Sequence, residues 1–244
     1  MAHNMEALRE RFSNLLDVLM NDFSLKDYIY EGTPEDIDCS WDEQRDAADH
    51  YGIWVGTGAT KFVIGDDNCD YVIKFQPPYA DGGDFDYCAR EVEVYEEAVR
   101  AGYADKFAWC AHLLDYDIDG DTLAVYVMEW CKCDYDMISD EMDDYHYTKF
   151  CSSNGIKKSD DDAYEKYIDS KNKERFCYQE RMMEWAFSVW GLDYHSEDYE
   201  FCNFMKRMSI NDIHAGNWGW HNNCLVLTDY SGYGECLSAR SIDY

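Results

Sequence analysis

The sequence predicts an α+β fold, with strands gathered in the first half of the chain and helices dominating the second. Three observations lead there. Short runs of β-branched and aromatic residues, separated by glycines, lie between Tyr51 and Phe75, and another apolar run spans Leu123 to Glu129. Apolar residues recur at three- and four-residue steps before and after that region. All three prolines, Pro34, Pro77 and Pro78, fall in the first third, so the last 166 residues contain none, which suits a mostly helical second half.

Taken in order, Met5, Leu8, Phe12, Leu15, Leu16, Leu19 and Met20 share one face of an N-terminal amphipathic helix within an extension covering residues 1–50. A polar stretch from Glu31 to His50 follows, punctuated by Gly32 and Pro34. Ile53 to Val55, Phe62 to Ile64 and Tyr71 to Phe75 read as strands, with Gly56, Gly58, Gly65 and Asp66 at their turns. Asp86 to Arg100 reads as a helix and Leu123 to Glu129 as a buried strand. From Cys133 to Ser170 the composition turns acidic and Tyr-rich, as expected of solvated helices and loops, and the acidic insertion is drawn over residues 133–195. Glu174 to Trp190 and Ser196 to Arg207 complete the expected helices. No repeat or flexible linker interrupts the chain, so the boundaries fall at residues 1–50, 51–130 and 131–244.

The 244 residues are 46% hydrophobic and 16% aromatic, enough to pack one large or two small lobes. Fifty-one Asp and Glu against 21 Lys and Arg give a formal charge of −30, and the acids are interleaved with aromatics, so they belong to a folded surface. Such a surface repels nucleic-acid phosphates and anionic headgroups, which argues against direct nucleic-acid binding. No run approaches the ~20 apolar residues of a membrane span. Glu6, Arg9, Glu10 and Arg11 interrupt the apolar core a secretory signal needs, so the expected location is the cytoplasm. Eleven scattered cysteines read as small buried hydrophobes, and the lone CxC at Cys131 and Cys133 lacks a second pair for zinc.

The chemistry lies between Asn211 and Gly232. There Asn-Asp-Ile-His-Ala-Gly-Asn-Trp-Gly is followed by a turn at His221 to Asn223 and by Leu-Val-Leu-Thr-Asp-Tyr-Ser-Gly. Asp212 precedes Asn217 by five residues, and Asp229 follows Asn217 by twelve. A carboxylate to orient a hydroxyl, followed by two oxygen ligands for Mg²⁺, is the set phosphoryl transfer requires. The segment resembles the catalytic and metal-binding loops of the protein-kinase-like superfamily, in the Asp-x-His-x-x-Asn form of aminoglycoside and choline phosphotransferases and bacteriophage-encoded kinases.

Upstream segments supply the other parts in order. Gly56-Thr-Gly58-Ala-Thr-Lys61-Phe-Val63 is similar to the glycine-rich loop that covers the phosphates, and Val72-Ile73-Lys74 to the third-strand lysine motif. Glu91, seventeen residues beyond Lys74 on a predicted helix, resembles the carboxylate that pairs with that lysine, with Glu93 as the neighbour it could be confused with. Val127-Met128-Glu129-Trp130-Cys131 resembles the inter-lobe hinge whose backbone groups bond adenine.

The resemblance implies a two-lobed protein-kinase-like fold, with a small antiparallel sheet in the N-lobe and a mostly helical, truncated C-lobe. It implies an ATP-dependent, Mg²⁺-requiring kinase. Lys74, held by Glu91, would grip the α- and β-phosphates, and Gly56, Gly58 and Lys61 would line the phosphate end. Glu129 and Cys131 would contact adenine, Asn217 and Asp229 would hold Mg²⁺, and Asp212 would align the acceptor hydroxyl. Because an ordinary Asp side chain, with a pKa of ~3.9, is a poor base at neutral pH, the residue at this position would serve mainly as an aligning group and late proton acceptor.

Three departures mark the chain. Ile210 stands two residues before Asp212, His214 replaces the lysine that contacts the transferred phosphate, and Tyr-Ser-Gly follows Asp229, with the sequence ending fifteen residues later. Recognition of the acceptor therefore falls to the acidic region between Glu129 and Asp212 or to the first fifty residues. The acidity favours a cationic acceptor, either a basic protein carrying Ser or Thr or a small molecule such as an aminoglycoside. The alternatives are an acidic pseudokinase or decoy that binds a basic partner protein, and nucleotidyl transfer on the same fold.

Overall fold

The computed structural model describes residues 3–22, 53–57, 61–66, 70–76, 85–118, 120–173, 178–194 and 199–232. Gly58 and the Glu31 to His50 stretch lie outside them. The chain is α+β, with six α-helices among the described residues, and divides into two compact units, one ending at Trp130 and the other beginning at Cys131.

The first unit is built on five antiparallel strands, β1 (Ile53–Thr57), β2 (Phe62–Asp66), β3 (Tyr71–Phe75), β4 (Cys110–Ile118) and β5 (Asp121–Glu129), in the order β1-β2-β3-β5-β4. Register sorts their side chains. Phe62 lies opposite Phe75, Ile64 opposite Ile73 and Ile73 opposite Val127, so these residues share one face. Helix α1 (Met5–Asp22) covers that face with Leu8, Phe12, Leu16 and Leu19 in one core with Phe62, Ile64, Ile73, Phe75, Leu113, Val125 and Val127. Each fully buried Leu or Phe contributes about 2 kcal/mol. Arg9 Nε donates to the Leu113 carbonyl at 2.8 Å and Tyr116 Oη to Asp17 at 2.7 Å, while His3 stacks on Trp109 at 3.6 Å. The N-terminal helix thus shares its core with the sheet.

The opposite parity, Lys74, Tyr126 and Met128, faces helix α2 (Tyr87–Ala101). Asp86 caps α2 by accepting from the Ala89 N–H at 2.9 Å, and its second oxygen accepts from Tyr126 Oη at 2.6 Å. Strand β4 escapes the sequence reading because it is an edge strand: His112, Asp115 and Asp117 point outward and dilute its apolar residues.

The second unit holds α3 (Tyr135–Asn154), α4 (Ala163–Lys173), α5 (Tyr178–Val189) and α6 (Tyr199–Arg207), followed by the hairpin β6 (Trp218–His221) and β7 (Cys224–Leu227). Phe187 on α5 makes edge or tilted ring contacts with Trp190, Tyr194 and Phe201. Trp190 packs on Trp218 at 5.7 Å and donates Nε1–H to the Leu225 carbonyl at 2.9 Å, tying α5 to the hairpin. Buried Arg181 bonds Asp143 at 2.8 Å and Tyr167, joining α5 to α3 and α4. Segment 131–133 pairs with the hairpin edge through reciprocal Lys132 and Trp220 backbone bonds of 2.9 and 3.0 Å.

The cysteines do not all behave as buried hydrophobes. Cys88, Cys110, Cys131 and Cys151 are buried, but Cys133 and Cys224, which sit on the hairpin and its pairing segment, are exposed. No described helix is long and apolar enough to cross a membrane.

Candidate active site

In the first unit the site begins with a carboxylate where an apolar residue is expected. Tyr87, Cys88, Val94 and Ala98 form the buried stripe of α2, and Glu91 falls within that stripe, 1% exposed. A buried charge needs a partner. Strand β3 supplies Lys74, whose Nζ lies 2.8 Å from Glu91 Oε2 and 2.9 Å from Oε1. Glu93, two residues away, is exposed and pairs instead with Arg90 at 2.9 Å. The choice between the two glutamates is thereby made by helix geometry.

A second cation reaches the same carboxylate. Lys61 directly precedes β2, and because Val63 lies opposite Lys74, Lys61 shares that face of the sheet. Its Nζ is 2.7 Å from Glu91 Oε1, and the residue is 4% exposed. Burial and the Glu91 charge push the neighbouring Cys88 thiol well above its ordinary pKa, so it stays protonated and inert. Of the expected glycines, Gly56 sits within β1 opposite Val63. Glu129 ends β5, donates its N–H to the Trp109 carbonyl at 2.9 Å and accepts from the Trp109 N–H at 3.3 Å. Sequence reading named Lys61 but not its carboxylate, because that pairing depends on strand register.

In the second unit, Ile210 and Ile213 are buried and anchor the loop that carries Asp212, half-buried between them. Asn217 Nδ2 donates to the Asp212 carbonyl at 2.8 Å, which fixes which end of the amide is oxygen. The Thr228 N–H donates to the Asn217 carbonyl at 2.9 Å, extending the hairpin by one step beyond the Trp218–Leu227 pair, and Asp229 is the next residue of the chain. Ser231 Oγ donates to Asp229 Oδ1 at 3.3 Å. An oriented amide oxygen and a half-buried carboxylate are the hard oxygen donors Mg²⁺ takes together with phosphate and water, so the donor set fits that ion. Cys131, the first residue of this unit, packs where a Cβ on Gly219 would come within 2.7 Å of its own Cβ.

His214 Nε2 lies 3.6 Å from Asp212 Oδ2, and its Nδ1 accepts the Gly216 N–H at 3.1 Å. Hydrogen bonding to Asp212 raises its pKa above 6.5, with the charges of Asp212 and Asp229 adding and burial opposing. A histidine whose folded-state pKa is raised contributes stability that is complete below its unfolded pKa and disappears as pH rises through the folded value. In metal-free protein, the melting-temperature difference between wild type and His214→Gln should therefore be largest near pH 6 and shrink toward pH 8. A constant difference would mean that Asp212 does not bias the imidazole.

The described structure thus gathers Lys61, Lys74 and Glu91 in one unit and Asp212, His214, Asn217 and Asp229 in the other. No family model matches the chain, and no curated protein matches it. Among solved structures, it is similar to an aminoglycoside phosphotransferase from Alicyclobacillus acidocaldarius subsp. acidocaldarius DSM 446, at 12% identity over 73% of this chain and a TM-score of 0.28. The chain spans 61% of the length of that structure, and a likeness of this size sets neither the fold nor the activity.

Proposed function

We propose that the chain is a protein-kinase-like phosphotransferase that moves the γ-phosphoryl group of Mg·ATP to a hydroxyl on a cationic acceptor, a basic protein or a small molecule. The observation that carries the reading is the buried Lys74–Glu91 pair, delivered by a helix inserted between β3 and β4 of a β1-β2-β3-β5-β4 sheet. Lys74 holds the α- and β-phosphates, and backbone groups around Glu129 and Cys131 read adenine. Asn217 and Asp229 hold Mg²⁺, which neutralises charge on the phosphates. Asp212 aligns the acceptor hydroxyl. The hydroxyl oxygen bonds to the γ-phosphorus as the bond to the bridging β–γ oxygen breaks. ADP leaves with that electron pair, and the hydroxyl proton passes to Asp212 late in the step.

Millimolar Mg·ATP should raise the melting temperature, since a ligand at 100 times its Kd stabilises the folded state by about 2.7 kcal/mol. Asp212→Asn should keep that shift while transfer of γ-label to host-lysate acceptors falls by about 10²–10⁴-fold. Full transfer by the variant would remove Asp212 from the mechanism, and no shift in wild type would remove the kinase reading. The charge of −30 favours one second reading, an acidic pseudokinase that occupies a basic partner. Binding to basic proteins without nucleotide stabilisation would select it.

A further inference from the structure

The loop that carries Asp212 is tied from outside by the first turn of α5. Gln179 Nε2 donates to the Asn211 carbonyl at 2.7 Å, one residue before Asp212. On the far side, Tyr178 Oη accepts from the Ala215 N–H, one residue after His214. The same hydroxyl bonds those of Ser139 and Tyr135, so its single donor and two acceptor sites are all in use. Tyr135 and Ser139 stand about one turn apart on α3, which sets them side by side on one face. Two consecutive residues of one helix thus hold both ends of the stretch from Asp212 to His214.

Core packing does not account for these two side chains: Tyr178 is 37% exposed and Gln179 lies at the surface. The helix behind them is fixed by burial of Met182, Trp185, Ala186 and Phe187 and by the Arg181–Asp143 pair at 2.8 Å. From this geometry we infer that Tyr178 and Gln179 are positioning residues, which carry the fixed position of α5 to the Asp212 carboxylate by tethering its loop at both ends. A reacting group supported by a packed helix stays closer to its productive geometry than one left to a loop alone. The consequence for rate rests on the role proposed for Asp212, since a misplacement of about 1 Å can lower a rate by about 10²-fold. Both tethers are neutral hydrogen bonds of modest net stability, so losing either leaves the fold in place.

Tyr178→Phe and Gln179→Met each remove one tether at nearly constant shape, and Gln179→Arg keeps a donor at the second position. Amide hydrogen exchange reads the loop without any need for activity. In either loss variant the amides of residues 212–217 should exchange about tenfold faster, while those of Met182 to Phe187 on α5 keep their wild-type rates. Transfer of γ-label from Mg·ATP to host-lysate acceptors should fall by about 10²-fold in apparent kcat, with the KM for Mg·ATP unchanged and with most of the rate restored in Gln179→Arg. Unchanged loop exchange, equal acceleration along α5, or a raised KM at constant kcat overturns the positioning role. A wild type that transfers no label brings down the proposed function and the positioning role with it. Active wild type, with variants that loosen the loop at unchanged kcat, brings down the positioning role alone.

Discussion

Replacing Glu91 with Gln should lower the unfolding free energy by about 3–5 kcal/mol, the range for removing one partner of a buried ion pair. The side chain is 1% exposed and is the shared acceptor for Lys61 and Lys74. An amide of the same shape keeps the packing but leaves two ammoniums facing each other without the negative charge between them. Lys61→Met and Lys74→Met should each cost clearly less, because Glu91 then keeps one cation and loses a repulsive neighbour. Denaturant unfolding with constant m-values checks the order. A loss below about 1 kcal/mol in the Gln variant would show that other groups carry the two lysines.

Gly232→Ala should be comparably damaging, for a steric reason. Gly232 has φ +66°, and a Cβ there would stand 2.0 Å from the Ser209 carbonyl oxygen, a backbone atom that cannot swing away. The left-handed conformation alone costs an L-residue about 1–2 kcal/mol. The collision adds to it, so either the protein loses about 3 kcal/mol or more, or the segment leaving Asp229 separates from the one entering Asp212. Gly102→Ala is the control: φ is +82° with nothing within 4 Å of the added carbon, so it should lose only the conformational term. Thermal melts of the two variants, with and without Mg·ATP, separate the cases. Equal losses would mean that the Ser209 contact has no consequence.

Much of this was readable in the chain and some was not, for identifiable reasons. The apolar periodicity of Leu8 to Leu19 names the buried face of α1 directly, and Lys74 and the Asn211 to Gly232 segment stand out by residue type and spacing. Glu91 and Glu93 differ only in helical phase, and the phase becomes certain once α2 is seen to bury Cys88, Val94 and Ala98. Strand β4 hides because edge strands carry charges outward. The Tyr-Ser-Gly after Asp229 is visible in sequence, whereas the reason for its glycine, close approach to Ser209, is a tertiary fact. The Lys61–Glu91 bond depends on the Val63–Lys74 register, which no local pattern states.

Helix α1 carries a consequence for how the protein is made. Its apolar stripe, Leu8 to Leu19, has as partners Val125 and Val127 of β5, the strand that sits between β3 and β4. Ribosomes add about 5–20 residues per second, so the helix emerges first and waits several seconds, roughly a hundred residues of synthesis, before those partners exist. During that interval only Phe62, Ile64, Ile73, Phe75 and Leu113, the members of the core made earlier, can cover the stripe, and that partial cover makes the nascent chain a substrate for a holding chaperone. Full burial of the stripe is therefore a late event, coincident with completion of the sheet.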